Sequence, residues 1–222
     1  MLDSIIDILP DLGKALGETA YMCSIALVLA IVAGGALGIL LYATSTPLFI
    51  KNPTVNKLLG AVVNVVRSIP FLILLIFLLP LSALVVGTKI GSVAVVIPLA
   101  VAAVAFFARL TEAALAEVDK GMIEAAFACG ASKPKVIFSI LLPEAWVPLV
   151  KSITITAISL LGFSAMAGLV GGGGLGDLAY RFGYQRYRFE IMIACIVVLI
   201  VLVQIIQVVG DAYANRAERK RS

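Results

Sequence analysis

Apolar residues in this chain come in long runs, separated by more polar stretches. Five runs are evident: Ala20–Tyr42, Ala61–Leu81, Gly91–Leu110, Val147–Val170 and Glu190–Val209. Each is close to the about 20 residues a helix needs to cross a hydrocarbon core of about 30 Å. In lipid every backbone N–H and C=O must be paired within the structure, so such runs predict helices, and the short alternating pattern of a membrane barrel is missing. The expected fold is an all-α integral membrane protein with five transmembrane helices, forming one domain over residues 1–222. Pro70 and Pro98 are predicted to kink the second and third spans. Gly34 and Gly38 form a small-xxx-small pair that lets another helix approach the first span closely.

Ahead of the first run, Leu2, Ile5, Ile6, Leu9, Leu12 and Leu16 recur at helical spacing, with Asp3, Asp7 and Asp11 between them. Residues 1–18 therefore read as an interfacial helix lying on the membrane and interrupted near Pro10, or as a frayed tail. The first apolar run is far longer than a signal-peptide core, so no cleavable leader is expected.

Composition agrees with the pattern. Hydrophobic residues make up 62% of the 222 positions, whereas a soluble domain is nearer half apolar. The formal charge of +4 is modest, and its placement carries more meaning than its size. With the N-terminus outside, the cytoplasmic flanks hold Lys51, Lys57 and Arg67, then Arg109, Lys120, Lys133, Lys135 and Lys151, then the basic tail of residues 210–222. The positive-inside rule favours that orientation, with Arg181, Arg186 and Arg188 as the dissenting group. Cations spread this way point to the bilayer rather than to nucleic acid. Three scattered cysteines (Cys23, Cys129, Cys195) and no histidine argue against a zinc site, a Cys–His pair or a disulfide framework. The spans lack the carboxylate or cation chains of an ion-driven carrier. They also offer no nucleophile–base pair, so an enzyme is not expected. Energy must come from elsewhere, or the protein is a passive pore.

Several motifs interrupt the apolar runs. Arg67-Ser68-Ile69-Pro70 places a guanidinium near the cytoplasmic end of the second span. It either snorkels or pairs with a carboxylate such as Glu112, or it serves as a gate or domain-coupling contact. Arg109 and Glu112, three apart, are positioned to pair with each other. Gly171-Gly172-Gly173-Gly174-Leu175-Gly176-Asp177 lacks the lysine and hydroxyl residue of a nucleotide-binding loop and reads as a flexible or tightly packed turn. In the fourth span, Thr156, Ser159 and Gly162/Phe163 recur on one side. Ser159 and the segment Ser164-Ala165-Met166-Ala167-Gly168 are expected to approach a translocation path, with Met166 as a flexible apolar plug, or to serve helix packing.

Between the third and fourth spans lies a polar island. A helix is predicted from Gly121 with Met122, Ile123, Ala126 and Phe127 on its apolar side, after a break at Asp119-Lys120-Gly121. Gly130 ends it without a Cβ penalty. Ser132 as N-cap and Pro134 in the first turn open a second short helix to Ile140, which Pro143 is expected to stop. Two short helices at an angle make a protruding knob, its surface kept small by Ala125, Ala126 and Ala131 and its rim charged by Glu124, Lys133 and Lys135.

Glu124-Ala125-Ala126, three residues, Gly130, nine residues, then Ile140-x-Leu142-Pro143 resembles the EAA loop of ABC-importer permeases, with every fixed position of that pattern met. Arg67-Ser68-Ile69-Pro70-Phe71, Pro143-Glu144-Ala145, Ser164-Ala165-Met166 and Gly173-Gly174-Leu175-Gly176 further resemble the methionine-importer permeases. The resemblance implies a type I importer permease fold in a bacterial inner membrane, with residues 121–143 as a cytoplasmic coupling helix. It implies that Glu124, Ala125, Ala126, Gly130 and Ala131 contact a separate ATPase, and that Ile140, Leu142 and Pro143 anchor the loop to the spans. The implied partners are a second permease copy, two ATPase subunits and an extracytoplasmic methionine-binding protein. No cofactor is expected on this chain, ATP and magnesium belonging to the ATPase. The alternatives are a permease for another amino acid or small solute, and a passive channel or scaffold.

Overall fold

The computed structural model describes residues 9–219, and every regular element among them is helical. The first helix, α1 (Leu9–Ser45), is 37 residues long, with one π-helical turn over Ala30–Gly34. Residues 1–8 of the expected interfacial segment lie outside the described residues. From Leu9 onward the segment is helix continuous with the first span, with no break after Pro10. The reason is packing: Ala15, Thr19, Met22 and Ala26 form one face that is buried from the first turns on.

The second predicted span is two helices, α2 (Pro53–Ser68) and α3 (Phe71–Val86), whose axes differ by 106°. Asn52 opens α2 by accepting the Val55 N–H at 3.1 Å, and Pro53 occupies the first turn, where its missing N–H costs nothing. At the other end, the ring of Pro70 disfavours helical geometry in the preceding residue. Ile69 is extended, with φ −79° and ψ 125°. The expected kink at Pro70 is therefore a full break. Pro98, by contrast, lies within an unbroken α4 (Ser92–Ala116).

Helix α4 is the hub of the bundle, packing on α1, α2, α3 and α7 (Trp146–Val170). Gly34 and Gly38 permit its approach to α1. A Cβ on Gly38 would lie 2.5 Å from Thr111 Cβ and 2.6 Å from the Ala108 carbonyl oxygen. Met22, Ala26, Leu75, Val95, Leu99 and Leu160 form the main core where α1, α3, α4 and α7 meet.

Two further helices follow α4, namely α5 (Lys120–Ala128) and α6 (residues 133–144). Beyond α7, the sequence reading foresaw only a turn, but the chain re-enters the bundle as α8 (residues 174–184). Its opening amides are held by α1, where Gly174 N–H donates to Glu18 Oε2 at 2.8 Å and Leu175 N–H to Thr19 Oγ1 at 2.9 Å. The Gly171–Gly174 run is thus the tightly packed alternative. The last helix, α9 (Phe189–Arg219), is 31 residues long and carries the basic tail as helix to Arg219, well past the predicted end at Val209.

Contacts sort the connections to two ends of the bundle. At one end, Gly91 N–H donates to Gly171 O at 2.9 Å, beside the Glu18–Gly174 contact. At the other, Phe49 of the α1–α2 connection packs on Phe127 of α5, ring centroids 5.5 Å apart. The chain passes between these ends five times, the bent pair α2–α3 supplying one passage.

Candidate functional site: a helical knob and a groove beside α4

The knob is built as a cap-to-cap unit. Asp119 accepts the Gly121 N–H at 2.7 Å and starts α5. At its close, Gly130 N–H donates to Phe127 O at 2.9 Å and Ala131 N–H to Ala126 O at 3.0 Å. This paired pattern needs a left-handed residue, and Gly130 has φ +80°. Ser132 stands at the N-cap of α6, but its hydroxyl makes no capping bond, and Pro134 lies in the first turn. Pro143 does not stop α6. Residues Ile137–Leu141 form a π-helical turn, and the helix continues through Leu142–Glu144. A widened turn just before Pro143 makes room for its ring at the carbonyl four residues earlier.

The knob shares one apolar core with the spans. Tyr42 of α1, Phe49, Leu115 of α4, Ile123 of α5, Leu141 of α6 and Leu149 of α7 are buried in a single cluster. Ile123 and Leu141 are fully enclosed. Close packing of this kind resists independent motion of its members. One core thus joins α5 to the ends of α1, α4 and α7. Tyr42 and Phe49 were not singled out from sequence; the only signal was the apolar run Pro47-Leu48-Phe49-Ile50 in the connection.

The outer face of α5 carries Met122, Ala125, Ala128 and Cys129, all exposed, with Glu124 exposed beside them. Met122 was expected on the inner face, but it is 40% exposed, because Ile123 and Phe127 already fill that side. Ala126 and Ala131 are half-buried at the cluster's edge, as are Ile140 and Leu142, while Gly130 and Pro143 are exposed. Of the residues named for a partner contact, Glu124, Ala125 and Gly130 thus lie on the open surface, and Ala126 and Ala131 lean inward.

A second feature lies at the α2–α3 break. Arg67 is exposed and borders a groove of about 330 Å³ with Phe71, Ala102, Phe106 and Phe163. Phe71 and Phe163 stack at 4.5 Å with planes 17° apart. Arg67 stands in the last turn of α2, just before the break, and shares the groove with Ala102 and Phe106 near the middle of α4. Glu112 does not reach it, being bound to Arg109 at 2.5 Å, and Arg109 also donates to Gly60 O at 2.9 Å. On α7, Ser159 is half-buried and donates to Ile155 O at 2.9 Å, while Met166 is exposed one turn beyond Phe163. Ser164 is turned into the core and donates to Leu161 O at 2.8 Å.

A multi-span helical bundle whose spans share a core with a capped helical protrusion has the architecture of a polytopic membrane component. The chain belongs to the family of binding-protein-dependent transport system inner membrane components, whose profile matches residues 34–220. It is 47% identical over 203 residues to a probable D-methionine transport system permease protein of Vibrio cholerae, covering 91% of this chain and 90% of that one. It is 45% identical over 212 residues to a methionine import system permease protein of Bacillus subtilis, covering 96% of each. Among solved structures, a chain of the MetNI methionine ABC transporter in an inward-facing conformation superposes with a TM-score of 0.92 at 40% identity, covering 95% of this chain and 98% of that one.

Proposed function

We infer that this chain is the permease subunit of an ATP-driven importer and that its cargo is methionine. The observation that carries the reading is the shared core of Ile123, Phe49, Leu115 and Leu149, which joins the knob to three spans. The names of the similar proteins supply the cargo class. A chain with no nucleotide-binding loop needs force from a partner, and a knob fixed to several spans is a rigid lever for domain rocking. In this reading Glu124, Ala125, Ala126, Gly130 and Ala131 meet the ATPase, and Ile140, Leu142 and Pro143 tie the knob to the spans. ATP and magnesium are held by the ATPase, and this chain carries no cofactor.

The whole chain acts as one permease domain. Two copies pair around a common passage, because five crossings alone leave little room for a gated path and a symmetric pair supplies two walls. Two ATPase subunits dock on the knobs from the cytoplasm, and an extracytoplasmic binding protein delivers methionine to the opposite end. The N-terminus lies outside and the C-terminus inside, an orientation supported by the cations around the knob and in the tail. Ser159, Ser164 and Met166 belong to the helix that borders the passage.

The test is solute uptake into proteoliposomes carrying the complete transporter and its binding protein. Methionine accumulation that requires ATP is the expected result. Accumulation of a different solute, with methionine ignored, would move the cargo. Passage of methionine at full rate without ATP would replace the importer with a channel.

A further inference from the structure

The groove at the α2–α3 break is bordered by a charge, Arg67, that forms no ion pair among the described residues. Ala102 and Phe106, which border it, flank the midpoint of α4, each about 15 Å or more from the nearer helix end at 1.5 Å per residue. Arg67 therefore lies level with the middle of that span, and it is exposed. An ionised group at that depth does not face lipid; it faces protein or a water-filled path. The remaining groove residues are apolar, proline or aromatic, and no ion pair among the described residues involves Arg67. Glu112, the carboxylate considered as its partner from sequence, is bound to Arg109. The side chain of Arg67 is thus open to a mobile anion.

The rest of the groove narrows the class of anion. Its volume of about 330 Å³ suits a small molecule rather than a bare ion. The stacked rings of Phe71 and Phe163 give an apolar wall, and aromatic faces and edges favour thioether sulfur. The break itself ends α2, so the carbonyls of Arg67 and Ser68 lack helical partners and present partial negative charge. Broken helices at mid-membrane serve transporters in this way, with opposite charges from the two half-helix ends. A guanidinium for a carboxylate, free carbonyls for an ammonium and aromatic rings for an apolar side chain together match a zwitterionic apolar amino acid.

We propose that Arg67, with Phe71 and Phe163, forms a transit site that binds the α-carboxylate of the transported amino acid halfway across the membrane. This rests on the methionine-importer reading and adds that the permease itself reads its cargo. Ser159 and Met166, one turn either side of Phe163 on α7, then border the approach to that site.

The test uses the assembled transporter, purified without its binding protein, with Cys23, Cys129 and Cys195 replaced by alanine and one reporter added by Ser68→Cys. A hydrophilic methanethiosulfonate reagent is expected to label the reporter, and millimolar L-methionine to slow the labelling. Methioninamide, which lacks the carboxylate, is expected not to protect. Arg67→Gln is expected to raise the methionine needed for protection by about tenfold or more, the scale of a lost charge-assisted bond. Arg67→Lys is expected to fall between. Ala102→Cys provides a second reporter should Ser68→Cys disturb assembly. A reporter that never reacts, protection unchanged by Arg67→Gln, protection by methioninamide, or protection by chloride alone would each overturn the site. ATP-driven methionine uptake, measured with the binding protein on the same reporter variant, separates the outcomes. Uptake without protection removes the transit site and leaves the importer, whereas no uptake by the parent transporter removes the importer.

Discussion

Two glycines meet opposite physical demands, and their substitutions separate the two. Gly38 is limited by space, since a Cβ there would stand 2.5 Å from Thr111 Cβ. Gly38→Leu is expected to cost on the order of 1–3 kcal/mol or more, as overpacking does. It would appear as a lowered midpoint when the detergent-solubilised protein is heated and monitored by size exclusion; an unchanged midpoint would contradict the close α1–α4 approach. Gly130 is limited by conformation, with φ +80° and open space around it. Gly130→Ala is expected to cost about 1 kcal/mol, with Gly130→Asn milder. Hydrogen exchange of the α5 amides should then speed up about fivefold, and unchanged exchange would show that the cap contributes nothing. Both glycines were legible in the sequence, Gly38 from its spacing with Gly34 and Gly130 from its place after an apolar helix. Thr19 and Glu18 were not, because their task is to hold the amides of residues more than a hundred positions away.

Among the elements, α5 depends on its start and on its floor. Asp119→Ala removes the N-cap and is expected to destabilise α5 by about 1 kcal/mol. Phe49→Ala removes a ring that is 4% exposed and lies 5.5 Å from Phe127 and 6.0 Å from Tyr42. Truncating a buried phenylalanine costs about 3–5 kcal/mol. The knob should loosen from the spans, seen as faster exchange at α5 and α6 with the membrane helices still protected; equal protection throughout would contradict the shared core. Five apolar runs were enough to place the spans, since length and hydropathy act locally. They did not separate a kink from a break at Pro70, or give α8 as a helix. The first depends on how Ile69 and α3 pack, and the second on α1 supplying partners for α8's opening amides. Pro143 was expected to end α6 because a proline removes one bond, but a π-helical turn accommodates it at the cost of regularity.

At the scale of the molecule, the two ends of the bundle are chemically distinct. One holds α5, α6 and the basic end of α9; the other holds the Gly171–Gly174 turn and Arg181, Arg186 and Arg188. Cys129 is the one exposed cysteine among the described residues, and it stands on the knob, so the native chain carries its own reporter of sidedness. With the chain expressed without its ATPase, a membrane-impermeant maleimide should label Cys129 in inverted vesicles and leave it untouched in intact cells; the reverse would turn the protein over. Sequence placed the knob because its polar residues break an apolar pattern, while the core joining it to three spans became visible only once distant segments were brought together. The most direct measurement is ATP-driven methionine uptake by the reconstituted transporter carrying Glu124→Arg and Gly130→Pro in this chain. With the ATPase still co-purifying at the normal ratio, coupling through the knob requires uptake to be lost. Uptake at the parent rate would show that force enters the spans by another route.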